Sequence, residues 1–302
     1  MHRILFVIPV GNGIPVFGYG LFLMLGFVAG LGIACVRGKR MGLTRDSVLD
    51  VGLLSIFFGV VGARLCYLLV DYSPEEGQGG FWEWIAVWRG GLTFQGGLAL
   101  AILSVWIYLK ARKISIGRMF DAYAPGIAVG VGFGRIGCLM NGCCWGETAP
   151  ASFSLGMTFP ENIEPMAYQF RLAEQWSEYW ADLLATLGYP PGTPPPLPLY
   201  PTQIVSAIGL FLIALLLVWM EKRFRRRDGQ VMLWFVFLYS IGRFAIEFWR
   251  ADTPLRYGFG AFPGLRLGQW LAVGMFALGI AFQLLLNRSQ GNLDRAERQE
   301  RE

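Results

Sequence analysis

The part of the sequence with the most varied chemistry is Gly134–Gly146, which reads GRIGCLMNGCCWG. It places Arg135, Asn141 and three cysteines among glycines, beside a long apolar segment. A charged side chain inside a bilayer is costly and usually serves a function. Glycines let another group approach the backbone closely. Together these residue types predict a buried site for an anion.

Two more arginines, Arg64 and Arg243, interrupt other apolar segments. The planar guanidinium group binds phosphate through paired hydrogen bonds, a geometry that suits arginine better than lysine. Several arginines inside a membrane protein therefore predict a site for a phosphate group.

The composition indicates which elements must position these side chains. The 302 residues are 54% hydrophobic and 16% charged, with a mean hydropathy of +0.46, whereas soluble proteins have about 25% charged residues. Apolar runs of about twenty residues are long enough to cross a bilayer. We predict an all-α polytopic membrane protein with seven transmembrane helices, at about 15–36, 48–70, 92–109, 119–139, 202–220, 231–249 and 267–287.

The distribution of charge predicts the orientation, because cytoplasmic loops are enriched in lysine and arginine. Most of the 26 basic residues follow spans one, three and five or lie in the tail. The N-terminus is therefore predicted to be outside and the C-terminus cytoplasmic. The net charge of +5 reflects this asymmetry and gives no reason to expect nucleic acid as a partner.

We expect one transmembrane domain, residues 1–290, followed by a disordered cytoplasmic tail, residues 291–302. Residues 147–200 are predicted to form a small extracytoplasmic subdomain with a short amphipathic helix near 166–187.

The orientation brings the polar residues into one layer. At about 1.5 Å of rise per residue, Arg64 and Arg135 lie roughly 25 Å from the inner ends of their helices. Tyr19 and Gln95 lie within one or two turns of the same outer boundary. The natural anion at that depth is a phospholipid headgroup.

Several of these residues also have plain structural explanations. Arg64 could extend its head to the interface with its stem against lipid. Arg243 and Glu247 are four residues apart and could neutralise each other, or Glu247 could position Arg243 for a ligand. Tyr239 could be a core tyrosine. Asp121 is expected to act in helix formation rather than in catalysis.

The cysteines Cys138, Cys143 and Cys144 leave three alternatives open: a packed turn, a reactive or oxidised thiol, or a metal site. A structural zinc site has four ligands, and no histidine lies nearby. We therefore predict no metal and no cofactor.

With these motifs in place, the chain resembles the bacterial prolipoprotein diacylglyceryl transferase family. The resemblance covers all seven spans and rests on the following blocks: Tyr19-Gly20; Gly62-Ala63-Arg64 with Tyr67; Trp88 to Leu98 (WRGGLTFQGGL); Gly134–Gly146; Tyr200-Pro201-Thr202-Gln203; Tyr239 with Arg243, Glu247 and Arg250; and Leu267-Gly268-Gln269.

The resemblance implies that phosphatidylglycerol is the donor and the lipobox cysteine of a preprolipoprotein the acceptor, with a thioether as product and glycerol phosphate released. It also implies a site in the bacterial inner membrane that faces the outer leaflet. It assigns catalysis to Arg135, Arg243, Gln95, Tyr19, Tyr239 and Glu247. It assigns substrate binding to Arg135, Asn141, Gly146, Arg64, Gly96 and Gly97.

The chain departs from the family pattern at its histidines. Gln95 and Tyr200 stand where the family usually has histidine, and the only histidine is His2. Cys138 and Cys143 stand where the family often has asparagine and glutamate. Glutamine can supply a hydrogen bond but cannot accept a proton at neutral pH, so the general base would be Tyr19, Tyr239, Glu247 or water.

Two other functions compete with the transferase. One is an inactive relative that binds lipids or lipoproteins, which the missing histidines favour. The other is an anion transporter or channel, which the absence of paired broken helices disfavours.

Overall fold

A computed structural model describes residues 4–8, 14–71, 91, 93–160, 166, 169–170, 173–174, 177–251 and 264–299. Its elements, in chain order, are β1 Ile4–Ile8, β2 Ile14–Phe17, α1 Gly18–Arg40, α2 Arg45–Cys66, a π-helical turn Tyr67–Asp71, α3 Phe94–Ala111, α4 Ile116–Asn141, α5 Ser177–Leu187, α6 Thr202–Phe224, α7 Gln230–Ile246, a 3₁₀ turn Glu247–Trp249, and α8 Leu267–Gln299.

The helices confirm the prediction of an all-α polytopic membrane protein. Within the described residues, six helical segments are long and apolar enough to span a bilayer, and a shorter apolar helix covers Gln95–Ala111. These seven segments coincide with the seven predicted spans. The orientation of the set stays a prediction from the distribution of basic residues.

The ends of the helices follow local chemistry. The side chain of Thr44 caps α2 by accepting the backbone N–H of Ser47, which satisfies one of the unpaired donors of the first turn. Basic residues fill the last turns of α1 and α6, where the negative end of the helix dipole favours them.

The structure differs from the sequence prediction at the start of span one. Before α1, β1 and β2 form an antiparallel pair, with Ile8 opposite Ile14, whereas the sequence assigned 15–17 to span one. The β-branched and aromatic residues of β2 suit a strand as well as an apolar helix. At the other end, α8 ends at Gln299, and the disorder of residues 291–302 stays a prediction.

The chain divides into two compact units. The first unit comprises Met1–Gly30, Pro125–Arg225 and Val231–Glu302, and the second comprises Leu31–Ala124 and Arg226–Gln230. Both α1 and α4 contribute residues to each unit.

The second unit is built on α2 and α3. Its buried apolar core consists of Ala34, Val48, Val51, Val105, Leu109 and Met119. At one end of this unit, the guanidinium group of Arg37 donates to the backbone oxygens of Asp121 and Ala122. The carboxylate of Asp121 accepts the backbone N–H of Gly229 at 2.9 Å. These contacts support the expected structural role of Asp121.

In the first unit, residues 147–200 carry two apolar clusters of their own. Phe159, Met166 and Leu199 form one, and Trp180 and Leu184 of α5 pack with Leu197 in the other. Of the predicted amphipathic helix near 166–187, α5 forms the C-terminal half, and the described residues 166, 169–170, 173 and 174 are also helical. The role of this segment as a separate subdomain stays a prediction.

Candidate active site

The last turns of α4 and the loop that follows carry the Gly134–Gly146 residues. The loop turns at Gly142 and Cys144, whose φ angles are 72° and 62°. The start of α6 fixes its backbone: Gln203 Nε2 donates to the Cys143 carbonyl at 3.0 Å, and Thr202 Oγ1 donates to the Cys144 carbonyl at 2.9 Å. The sequence block containing Thr202 and Gln203 therefore holds the backbone of this loop.

Backbone pairing joins this loop to the end of α7. Glu147 N donates to Trp249 O at 2.8 Å, and Ala251 N donates to Trp145 O at 3.1 Å. Between them, Gly146 and Arg250 form an antiparallel bridge. A side chain at Gly146 would lie 2.4 Å from the Tyr200 carbonyl oxygen. Close packing thus explains this glycine, and its predicted part in substrate binding stays a prediction.

The end of α7 holds a charged group centred on Glu247, which is fully buried. Its carboxylate pairs with Arg243 and lies 3.9 Å from Arg250. Gly268 of α8 packs directly on this pair, since a Cβ there would lie 2.5 Å from Glu247 Oε1. The structure therefore shows the Arg243–Glu247 pair itself, which is common to the two explanations that the spacing left open.

Two residues of this group were missed by the sequence analysis. Buried Arg266 donates to the Glu247 carbonyl at 2.8 Å and pairs with Glu147 at 2.5 Å. Arg266 is not among the site residues that the sequence predicted. Its position directly before the Leu267-Gly268-Gln269 block was the only available signal.

Arg135 and Arg243 line one cavity of about 240 Å³ in the first unit. The hydroxyl groups of Tyr239 and Ser206 also lie on its wall, and most of the remaining surface is apolar, contributed by residues such as Val205, Leu210, Ile213, Ile246 and Trp249. Within the described part of the chain, Arg135 makes no ion pair. Arg243 interacts electrostatically with Arg135 and Tyr239 as well as with Glu247 and Arg250.

The charge of this group is positive. Four arginines (Arg135, Arg243, Arg250 and Arg266) face two carboxylates, those of Glu147 and Glu247. Fixed cations on an apolar, poorly hydrated wall bind an anion more strongly than they would in water. The geometry suits an amphiphile with an anionic headgroup and an apolar body.

Tyr19 of α1 also belongs to the first unit. Its ring and backbone pack on Gly137 of α4, and its hydroxyl interacts electrostatically with Arg135 and with the three thiols. Asn141 hydrogen-bonds the Cys143 thiol. The structure thus brings six predicted site residues together: Tyr19, Arg135, Asn141, Tyr239, Arg243 and Glu247.

The three thiols lie side by side on this loop and the last turn of α4. The sulfurs of Cys138, Cys143 and Cys144 are all within 4.8 Å of one another, and none is in a disulfide. Hydrogen bonds from the Cys138 and Cys143 thiols lower the pKa of Cys144, and the charges of Arg250 and Arg135 lower this pKa further.

The remaining predicted residues lie in the second unit. Arg64 is buried: its guanidinium group donates to the Gly91 carbonyl at 3.1 Å and stacks over the Tyr67 ring. Gly96 and Gly97 pack on the backbone of α2, at Gly62 O and Gly59 O respectively. Gln95 is exposed on the first turn of α3.

Within the described residues, seven apolar helical segments define a polytopic membrane protein, and its first unit contains a cavity with two arginines on a mostly apolar wall. A model of the family described as prolipoprotein diacylglyceryl transferase matches residues 5–285. The chain belongs to this family of transferases, which act in lipoprotein biosynthesis.

Relatives in several bacteria carry the name of the same transferase at moderate identity. The phosphatidylglycerol–prolipoprotein diacylglyceryl transferase of Neisseria meningitidis serogroup C (strain 053442) is 31% identical over 270 residues, 87% of this chain and 88% of the relative. That of Nitratidesulfovibrio vulgaris is 30% identical over 275 residues, 89% of each chain. That of Clostridium tetani is 28% identical over 240 residues, 80% of this chain and 83% of the relative.

Proposed function

We propose that this protein transfers the diacylglyceryl group of phosphatidylglycerol to the lipobox cysteine of preprolipoproteins. The acceptor sulfur attacks the glycerol carbon that carries the phosphate ester. The new C–S bond is a thioether, the C–O bond breaks, and its electron pair leaves with glycerol phosphate. The reaction takes place in the bacterial inner membrane at a site that faces the outer leaflet.

The cavity lined by Arg135 and Arg243 is the observation that carries this proposal. Arg135 binds the donor phosphate, since no described carboxylate neutralises it. Arg243, held by Glu247, stabilises the charge that accumulates on the leaving phosphate ester. Such preorganised cations act where charge develops in the transition state. The apolar wall receives the start of the acyl chains.

Other residues of the first unit complete the site. Tyr19 and Tyr239 bring hydroxyl groups next to the arginines. Asn141 and Gly146 shape the loop beside the phosphate. Glu247 is buried between two arginines and serves as their charge partner, so we do not assign it the role of general base.

In the second unit, Arg64, Gln95, Gly96 and Gly97 stay proposed contributors to lipid binding. Arg64 and the two glycines fix α2, α3 and the segment before α3, and Gln95 offers an exposed amide for a hydrogen bond.

Purified protein supplied with phosphatidylglycerol and a lipobox peptide tests the proposal. We expect the peptide to gain one diacylglyceryl group by mass spectrometry, with stoichiometric release of glycerol phosphate and no reaction of a Cys→Ser peptide. Arg135→Ala should lower the rate at least about 100-fold, since removing one such stabilising group costs roughly 2.7–4 kcal/mol.

Arg112→Ala is the matched control, because Arg112 is exposed and stacks on Tyr108 of the same helix. It should keep the wild-type rate. Equal rates for Arg135→Ala and Arg112→Ala would contradict the phosphate assignment. Binding of both substrates without product would indicate instead a relative that binds lipids or lipoproteins.

A further inference from the structure

The sequence predicted no metal, but the positions of three thiols lead to a different conclusion. The sulfurs of Cys138, Cys143 and Cys144 lie within 4.8 Å of one another. A tetrahedral zinc ion with Zn–S bonds of about 2.3 Å holds its sulfurs roughly 3.8 Å apart. Rotation about the Cα–Cβ bonds of the cysteines is enough to bring the sulfurs to that separation.

The backbone around these thiols is already fixed. Gln203 and Thr202 hold the carbonyls of Cys143 and Cys144 from the start of α6. Asn141 hydrogen-bonds the Cys143 thiol. Partners that orient the ligands in this way are typical of metal sites and contribute to their affinity.

The number of ligands indicates the kind of site. Structural zinc sites are closed by four protein ligands, whereas catalytic sites have three protein ligands and one position for water or substrate. Within the described part of the chain, the group has three sulfurs and no fourth cysteine, histidine or carboxylate. Three thiolates and Zn²⁺ carry a net charge of −1. Arg250, which interacts electrostatically with Cys144, partly offsets that charge.

The place of the group in the proposed reaction indicates what the open position would bind. Cys138 follows Arg135 by three residues on α4, so the two side chains are neighbours on one helix face. A sulfur bound at the open position would therefore lie beside a phosphate held by Arg135. The reaction needs the acceptor as a thiolate, and a thiol that coordinates zinc is deprotonated.

We propose that Cys138, Cys143 and Cys144 bind one Zn²⁺ whose fourth position takes the acceptor cysteine as a thiolate. This inference rests on the proposed function. The three protein thiols release their protons to water when the metal binds. The acceptor thiol releases its proton to water as it enters the fourth position. Its sulfur then forms the C–S bond while the C–O bond breaks, glycerol phosphate leaves with the electron pair, and zinc keeps its charge throughout.

Metal binding is tested first, without reference to activity. Wild-type protein equilibrated with Zn²⁺ and freed of excess should retain one equivalent by elemental analysis. Cys143→Ser should lose it, and the matched control Cys35→Ser, which changes a free thiol in the second unit, should retain it. A wild-type protein that retains no zinc, or that isolates with a disulfide among these cysteines, would overturn the inference.

The open position is tested on wild-type protein with Co²⁺ in place of zinc. Co²⁺ bound by thiolates absorbs visible light in a way that reports its ligands. A lipobox peptide should change this spectrum, and the Cys→Ser peptide should not. Identical responses to the two peptides would overturn the proposed fourth ligand.

The pH profile tests the role in the reaction. At pH 7 a free thiol with a pKa near 8.5 is only about 3% thiolate. Zinc-free protein should therefore react about 30-fold more slowly at pH 7, and this deficit should shrink to about twofold at pH 8.5, where half of a free thiol is ionised. An unchanged rate after zinc removal would overturn the role while leaving the proposed function intact. A cobalt spectrum that responds to the peptide, without lipidation by any form, would support the metal site and contradict the proposed function.

Discussion

Gln95 stands on the first turn of α3, where the family usually has a histidine. An amide can hydrogen-bond a phosphate or a hydroxyl group, but it cannot take up the acceptor proton. If coordination to zinc deprotonates the acceptor thiol, that step does not need a general base at this position. We expect Gln95→His to change the lipidation rate less than about tenfold, measured with saturating peptide.

Gln95→Ala separates the two roles of the side chain, because it removes the hydrogen bond without adding a base. It should be slower than both wild type and Gln95→His. A gain of about 100-fold or more in Gln95→His, the range of general-base catalysis, would show that this chain lacks a base that other members have.

Gly268 shows how a residue without a side chain can control a charged site. A Cβ at this position would lie 2.5 Å from Glu247 Oε1 and 2.6 Å from Arg243 Nη2. Neither group can move away cheaply, because Glu247 is fully buried in its ion pairs. We expect Gly268→Ala to lower the lipidation rate at least about tenfold and to cost roughly 1–3 kcal/mol of stability.

Gly274→Ala is the matched control on the same helix, since a Cβ there meets nothing within 4 Å. Its rate should equal that of the wild type, and replacing a helical glycine by alanine should stabilise it slightly. Equal rates for the two variants would mean that the exact position of the Arg243–Glu247 pair is unimportant.

Among the elements, the sequence located the transmembrane helices and the motif residues of the first unit. A helix that crosses the hydrocarbon core needs about twenty apolar residues whatever its tertiary contacts are, so hydropathy along the sequence is enough to locate it. The β1–β2 pair was missed because apolar strand and apolar helix residues look alike in a short run. Arg266 and Glu147 were missed because their pairing depends on which loops meet, and spacing along the chain contains no such information.

The contacts of α4 with the loop before α7 provide a test at this scale. Asp121 is fully buried, and its carboxylate accepts the N–H of Gly229. Leaving a buried donor unsatisfied costs about 1–3 kcal/mol. Asp121→Ala should therefore lower the thermal unfolding midpoint in detergent, whereas the lipidation rate per folded molecule should stay unchanged.

Asp182→Ala is the comparison, because Asp182 is exposed on α5. It should leave the unfolding midpoint unchanged. Loss of activity in folded Asp121→Ala would instead place this carboxylate in the reaction.

For the whole molecule, the proposed function depends on which side of the membrane each helix end faces. α1 and α6 end in basic residues, whereas α4 ends at Asn141, just before the thiol-bearing loop. If basic ends are cytoplasmic, the loop faces outward. In the proposed reaction, the preprolipoprotein presents its lipobox cysteine on the outer side. The acceptor can therefore reach the thiol-bearing loop only if this loop faces outward.

Two fusions decide the orientation. A green fluorescent protein joined after Glu302 folds and fluoresces only in the cytoplasm, and an alkaline phosphatase joined after Pro190 is active only outside it. We expect both reporters to be active in the respective fusions. Moving the phosphatase to Arg226, between α6 and α7, should abolish its activity, because this arginine-rich loop is predicted to be cytoplasmic. The reversed pattern would place Arg135, the three thiols and the cavity on the cytoplasmic side, where neither the outer leaflet nor an exported acceptor could reach them.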